Sequence, residues 1–138
     1  MRVYFCGRFS QRQTFRWLRN ALLAHHGMTV CSRWIDYEDT PLDERTRMLR
    51  GIEDMLDLQS ADLLLYLCSP IPGKGGRFVE LGLALAYGLR IVMVGEPEAH
   101  IFSSMPQVER VESLSHVMSY LGVQGREPWS METWGLPC

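Results

Sequence analysis

Leu63-Leu64-Leu65-Tyr66-Leu67 is the stretch whose reading decides the fold. It is continuously apolar, with no polar alternation, and too short for a helix face. Such a run suits a central strand of a parallel sheet, covered on both faces. Ala61-Asp62 leads into it, and the loop Ser69–Gly76 leaves it. Next comes Phe78-Val79-Glu80-Leu81-Gly82-Leu83-Ala84-Leu85-Ala86-Tyr87-Gly88-Leu89, a helix apolar on nearly every side. Arg90–Gly95 is again a fully apolar strand.

Toward the N-terminus the same alternation continues. Asp43 to Ser60 reads as a helix with Met48, Ile52, Met55 and Leu56 turned inward. Trp34–Leu42 is a polar, acidic loop, and Met28–Arg33 a strand. Ser10 is placed to cap a helix running to about His26, with Phe15, Leu18, Leu22 and Leu23 on one stripe. Arg2–Cys6 is a buried strand broken by Gly7. Toward the C-terminus, Val108–Val111 reads as a short fifth strand and Ser113–Leu121 as a last helix. The expected fold is therefore α/β: a single-domain, open, mostly parallel sheet of four to five strands flanked by helices, flavodoxin- or Rossmann-like. The domain spans 1–121, and 122–138 is a tail with Gly, Pro, Trp129 and Trp134. In such sheets ligands bind beyond the carboxyl ends of the strands. Those ends are Gly7–Ser10, Arg33–Asp36, Ser69–Gly76 and Gly95–Glu98.

Composition narrows the function. With 138 residues, 46% hydrophobic and 22% charged, the chain matches one ordinary globular domain. A formal net charge of −2 gives no broad attraction to nucleic-acid polymers or to membrane surfaces. The basic residues Arg8, Arg12, Arg16 and Arg19 are a local feature. The four cysteines, 6, 31, 68 and 138, form no C-x-x-C pair and stand near no histidine at zinc spacing. No metal and no cofactor are expected, and the cysteines near strands are expected to act as small apolar residues. The expectation is a reducing, cytoplasmic setting, with no signal peptide and no membrane span.

Glu80 is the only ionisable residue in its apolar run. It falls in the first turns of a helix that starts at the carboxyl edge of the central strand. The helix N-terminus favours an ionised carboxylate there. A partly desolvated carboxylate facing a ligand crevice suits nucleophilic attack or stabilisation of a developing cation. The plainer account is a helix-dipole partner or a salt bridge to Arg77. In Ser69–Arg77, the glycine amides with Lys74 and Arg77 suit a phosphate. The spacing is not that of a Walker loop, and an ordinary strand-to-helix turn explains the same residues. Asp54 shares its helix with two rivals, Glu53 and Asp57. His25, His26, His100 and His116 are scattered and form no ligand set, while Trp17 and Trp34 read as core or pocket wall.

Gly-Arg-Phe-Val-Glu-Leu-Gly, residues 76–82, resembles the G-x-x-x-E-L/I-G signature of the nucleoside 2-deoxyribosyltransferase-like superfamily. Tyr4-Phe5-Cys6-Gly7 looks like the start of its 2′-deoxynucleoside 5′-phosphate N-hydrolase branch. Asp54, eight residues before Asp62, matches the family's acid on that helix, and Ser103-Ser104-Met105 resembles a phosphate-contacting Ser-x-Met segment. The resemblance covers roughly Arg2 to Leu121. It implies that Glu80 attacks C1′ of a (deoxy)ribose and displaces the base, and that Asp54 supplies the proton chemistry. Tyr4 would position Glu80 or the sugar. Gly7, Arg8 and Phe9 would line the pocket, with Lys74, Gly76, Ser103 and Ser104 toward the substrate. The resemblance also implies a homodimer whose partner subunit completes the site through the loop Phe102–Met105.

One position departs from the family. Six residues before the glutamate, the transferase branch has a base-contacting acid and the hydrolase branch a phosphate-contacting serine; here it is Lys74. A lysine cannot accept from a base amine but can pair with a phosphate. The expected activity is hydrolysis of the N-glycosidic bond of a (deoxy)nucleoside 5′-monophosphate. The alternatives are base exchange between deoxynucleosides and a non-catalytic nucleotide-binding module.

Overall fold

β1 (Arg2–Cys6) lies between β2 (Thr29–Val30) and β3 (Leu63–Leu67). Beyond β3 come β4 (Arg90–Val94) and β5 (Val108–Val111), and every pairing is parallel. The computed structural model describes residues 1–69, 74–96 and 100–124. Among these, four α-helices connect or follow the strands: α1 (Arg12–His26), α2 (Glu44–Gln59), α3 (Gly76–Ala86) and α4 (Leu114–Gln124). The strand order β2-β1-β3-β4-β5 is the doubly wound, flavodoxin-like order. Its direction reverses between β1 and β3, which opens a crevice at their carboxyl ends. α1 packs with α4 and α2 with α3, as expected when helices cover both faces.

The expected central strand is central. β3 is hydrogen-bonded on both sides, and Leu63–Tyr66 are buried. Val3–Cys6 of β1 are also buried, beside Phe15, Leu18 and Leu22 of α1. Burying such side chains contributes about 1.5–3 kcal/mol each, so the packing of β1, β3 and α1 anchors the crevice between β1 and β3.

α2 corrects the sequence reading. Asp43 caps it, its carboxylate accepting from the Thr46 amide at 2.7 Å. Met48, Ile52, Met55 and Leu56, expected inward, are 45–57% exposed, and Leu49 is exposed beside them. The face that packs on the protein is Thr46, Arg50, Glu53, Asp54, Asp57 and Leu58. Helical periodicity identifies an apolar stripe but not what covers it. Here the polar face turns to the protein and the apolar face turns out.

Three other elements differ from expectation. The second strand has only two residues, because after Val30 the chain leaves the ladder. The Phe5 amide there donates to the Ser32 hydroxyl rather than to a backbone carbonyl. Arg33–Asp36 then winds into a 3-10 turn that buries Trp34 and Ile35. Ser10 does not cap α1: it sits in a 3-10 turn, Phe9–Gln11, and Gln11 holds the N-cap position without a side-chain bond. Leu23 is exposed, since one residue beyond Leu22 the helix has turned about 100° off its packed face. Trp17 is exposed while Trp34 is buried. The last helix continues to Gln124. Of the expected tail 122–138, residues 125–138 with Trp129, Trp134 and Cys138 lie outside the described residues, as do 70–73 of the phosphate-like loop and 97–98 of the Gly95–Glu98 strand end.

Candidate active site

α3 starts where the chain needs a left-handed residue. Gly75 has φ +87° at the N-cap, a region that a β-carbon makes costly. Glu80 follows as the fifth residue of the helix, at the carboxyl edge of β3. Its side chain turns toward β1. There the two-residue period of a strand places Tyr4 and Cys6 on one face. The Tyr4 hydroxyl donates to Glu80 Oε1 at 2.6 Å, and the Cys6 thiol donates to Glu80 Oε2 at 3.0 Å.

Burial is the largest electrostatic influence on each of these groups. Burial pushes the Glu80 carboxyl up, and the bonds from Cys6 and Tyr4, which favour the charged form, offset this only in part. Burial and then the Glu80 charge push the Tyr4 phenol far above its ordinary range, so it remains a donor. Asp54 is raised to about 7, by burial first and then by the charges of Glu80, Asp57 and Glu53. Asp54 thus keeps its proton to higher pH than an ordinary carboxyl.

The three acids in the second half of α2 separate cleanly. Asp57 is buried and paired with Arg33, Nη2 to Oδ1 at 2.7 Å. Glu53 accepts from the Tyr37 hydroxyl and lies 3.8 Å from Arg33 Nη1. Asp54 has a buried Oδ1 with no hydrogen-bond partner. A buried acceptor is seldom left unpaired without a task. The alternative salt bridge between Arg77 and Glu80 is not the arrangement found. The buried Arg77 donates through Nε to the Tyr66 hydroxyl at 3.1 Å and stacks on Phe78 at 4.8 Å.

The first loop follows β1 directly. Gly7 allows close packing: a β-carbon there would stand 2.7 Å from the Phe15 ring. The Arg8 amide donates to Gln11 Oε1 at 2.8 Å. Phe9 is exposed, with the Arg12 guanidinium 3.8 Å above its ring and buried Trp34 at 6.4 Å. Lys74 and Gly76 are both exposed at the start of α3.

Ser103 and Ser104 stand apart from this cluster. Ser103 is buried, its hydroxyl donating to the His100 carbonyl at 2.7 Å, whereas Ser104 is exposed. Their segment meets α3 through Phe78 and Leu81, which line an apolar pocket with His100 and Phe102. At 100° per residue, Phe78 lies nearly opposite Glu80 on that helix. The Cys6 contact with Glu80 is one that sequence reasoning missed. Its signal was the alternation with Tyr4 on β1. Among the described residues, no three His, Cys, Asp or Glu side chains are grouped to hold a metal.

No family model and no curated protein sequence matches the chain. Its fold, however, is that of solved glycosyl-transferring enzymes. A 2-deoxyribosyltransferase from Bacillus psychrosaccharolyticus superposes with a TM-score of 0.71 at 17% identity, covering 87% of this chain and 92% of that one. The CMP N-glycosidase BcmB of Clostridium botulinum gives 0.61 at 15% identity, covering 89% and 99%. A conserved protein of Enterococcus faecalis V583 gives 0.61 at 13% identity, covering 90% and 98%. The chain thus has the nucleoside 2-deoxyribosyltransferase-like fold.

Proposed function

We propose that this chain, built on the nucleoside 2-deoxyribosyltransferase-like fold, cleaves the N-glycosidic bond of a (deoxy)nucleoside 5′-monophosphate. The observation that carries the reading is the pairing of two unlike carboxyls at the crevice. The Tyr4 hydroxyl donates to Glu80, and the buried Oδ1 of Asp54 has no hydrogen-bond partner, its carboxyl being raised to about 7 by burial first. Two carboxyls in such unlike settings, one hydrogen-bonded and one with a bare oxygen, fit the nucleophile and the acid of a retaining glycosidase.

In the first step a Glu80 oxygen attacks C1′, the C1′–N bond breaks, and its electron pair leaves with the base. The Asp54 proton passes to the base nitrogen. In the second step the Asp54 carboxylate takes a proton from water as that water attacks C1′, and Glu80 departs as a carboxylate. Asp54 is then protonated again, so the cycle closes. Gly7, Arg8 and Phe9 form the wall beside the sugar. Lys74 and Gly76, with Ser103 and Ser104, serve the 5′-phosphate, and Lys74 favours hydrolysis over base exchange because it cannot accept from a base amine.

The site is proposed to be shared in a homodimer. Two features support this: the outward apolar stripe of α2, and the placement of the Phe102–Met105 segment on the face of α3 away from Glu80. A contiguous apolar face of this kind marks an interaction surface.

The test is incubation with a panel of nucleosides and their 5′-monophosphates, with free base read by chromatography. Monophosphates should release base and free nucleosides should react far more slowly. A new nucleoside formed on adding a second free base would instead indicate base exchange. Glu80→Gln should lower turnover by at least about 10⁴-fold, as for loss of a nucleophile. Ligand binding with no base release in the wild-type protein would sink the catalytic reading.

A further inference from the structure

We propose that Cys6 is a positioning residue for the nucleophile: its thiol proton fixes Glu80 Oε2 while the Tyr4 phenol fixes Oε1. The inference rests on the glycosidase reading and names a residue that reading did not require. Its geometry is specific. Cys6 is fully buried in β1, two residues from Tyr4, and its sulfur reaches Glu80 Oε2 at 3.0 Å and the Arg77 carbonyl at 3.4 Å. Sulfur is larger than oxygen, so 3.0 Å is a close approach for a thiol donor. The carboxylate is thereby held at both oxygens by one rigid strand, which fixes its plane against the sugar.

A thiol also suits the chemistry better than a hydroxyl. It is a weak donor. It favours the charged carboxylate without quenching the electron density that attacks C1′. Each carboxylate oxygen has two lone pairs and gives up only one to β1. Among the described residues, the titratable groups around Glu80 are few. Tyr4 and Cys6 face it from β1, and Asp54 faces it from α2, with Glu53, Asp57 and Arg33 behind. On α3 itself, Arg77 turns to Tyr66. Removing the thiol donor therefore destabilises the Glu80 carboxylate, and its pKa rises. The acid limb of kcat/KM then moves to higher pH, while the alkaline limb, set by Asp54, stays in place.

The experiment compares Cys6→Ala and Cys6→Ser with the wild-type protein. Cys6→Ala should lower kcat about tenfold with KM nearly unchanged, the size of one hydrogen bond to a charged group. Its acid limb should shift upward, and Cys6→Ser should bring the limb back. An unmoved acid limb in Cys6→Ala, or a serine variant no better than alanine, would show mere packing and overturn the proposal. A second measurement needs neither turnover nor the alanine variant. The infrared S–H band of Cys6, isolated as the difference from Cys6→Ser, should lie at lowered frequency and move up in Glu80→Gln. A band insensitive to Glu80→Gln also overturns the proposal. If the wild-type protein releases no base, the glycosidase reading fails by itself, and the infrared result still decides whether Cys6 holds Glu80.

Discussion

The Tyr4 hydroxyl and the Glu80 carboxylate, 76 positions apart in the chain, meet at 2.6 Å. Parallel pairing of β1 with β3 makes this contact possible, because α3 leaves β3 beside the carboxyl end of β1. A phenol kept protonated by burial beside a carboxylate is a permanent donor. Tyr4→Phe removes it. The Glu80 pKa should then rise, since the bond favours the charged form. We expect kcat/KM to fall about 10- to 100-fold, with the acid limb displaced to higher pH. An unchanged pH–rate profile would contradict the assigned contact.

Asp54→Asn separates stability from activity. The folded Asp54 binds its proton up to about pH 7, against an ordinary value of 3.8. The folded state therefore binds more protons than the unfolded one between these values, and stability falls as pH rises through that window. Asparagine removes the cost of charging the site. The variant should match the wild-type protein below about pH 4 and exceed it above pH 7, by about 2 kcal/mol after allowance for partial exposure. Base release should fall about 10²- to 10⁴-fold. Urea unfolding at pH 4 and pH 8 checks the first statement; equal differences at both pH values would refute it.

Gly7→Ala tests the close packing at the end of β1, in the loop proposed to line the site. The added methyl would lie 2.7 Å from Cε2 and Cζ of Phe15, a fully buried ring stacked on Phe5 at 5.0 Å. Overpacking at such a position costs about 1–3 kcal/mol. Thermal unfolding should show a lower Tm, and retention of the wild-type Tm would mean that the ring relaxes freely.

Ile52→Glu tests the outward stripe of α2. Ile52 is half-exposed in the isolated chain, so a charge there should change the chain's own stability by no more than about 0.5 kcal/mol. In a homodimer built on this face the same charge would be buried and the dimer would dissociate. Light scattering should show a dimer for the wild-type protein and a monomer for the variant, with base release lost together with the dimer. A variant that remains dimeric would place the interface elsewhere.

Much of this molecule was legible from local pattern. The continuous apolar run Leu63–Leu67 announced a strand covered on both faces, and β3 is that strand. Glu80 announced itself as a single charge in an apolar helix. Tyr4, Asp54 and Gly7 came from short motifs, and the structure brings Tyr4 and Asp54 to Glu80. Cys6 was hidden because a buried cysteine and a hydrogen-bonding cysteine look alike in sequence.

Backbone periodicity is a local property. For this reason the alternation of strands and helices, the central strand and the helix-borne carboxylate could all be read from residue order alone. Partner choice is a property of the packed state. Only the tertiary structure decided that Asp54, and not Glu53 or Asp57, remains unpaired, that the Cys6 thiol meets Oε2, and that α2 turns its apolar stripe outward. A helix carries its amphipathic pattern in its sequence, but the direction of each face is set by the neighbours that cover it.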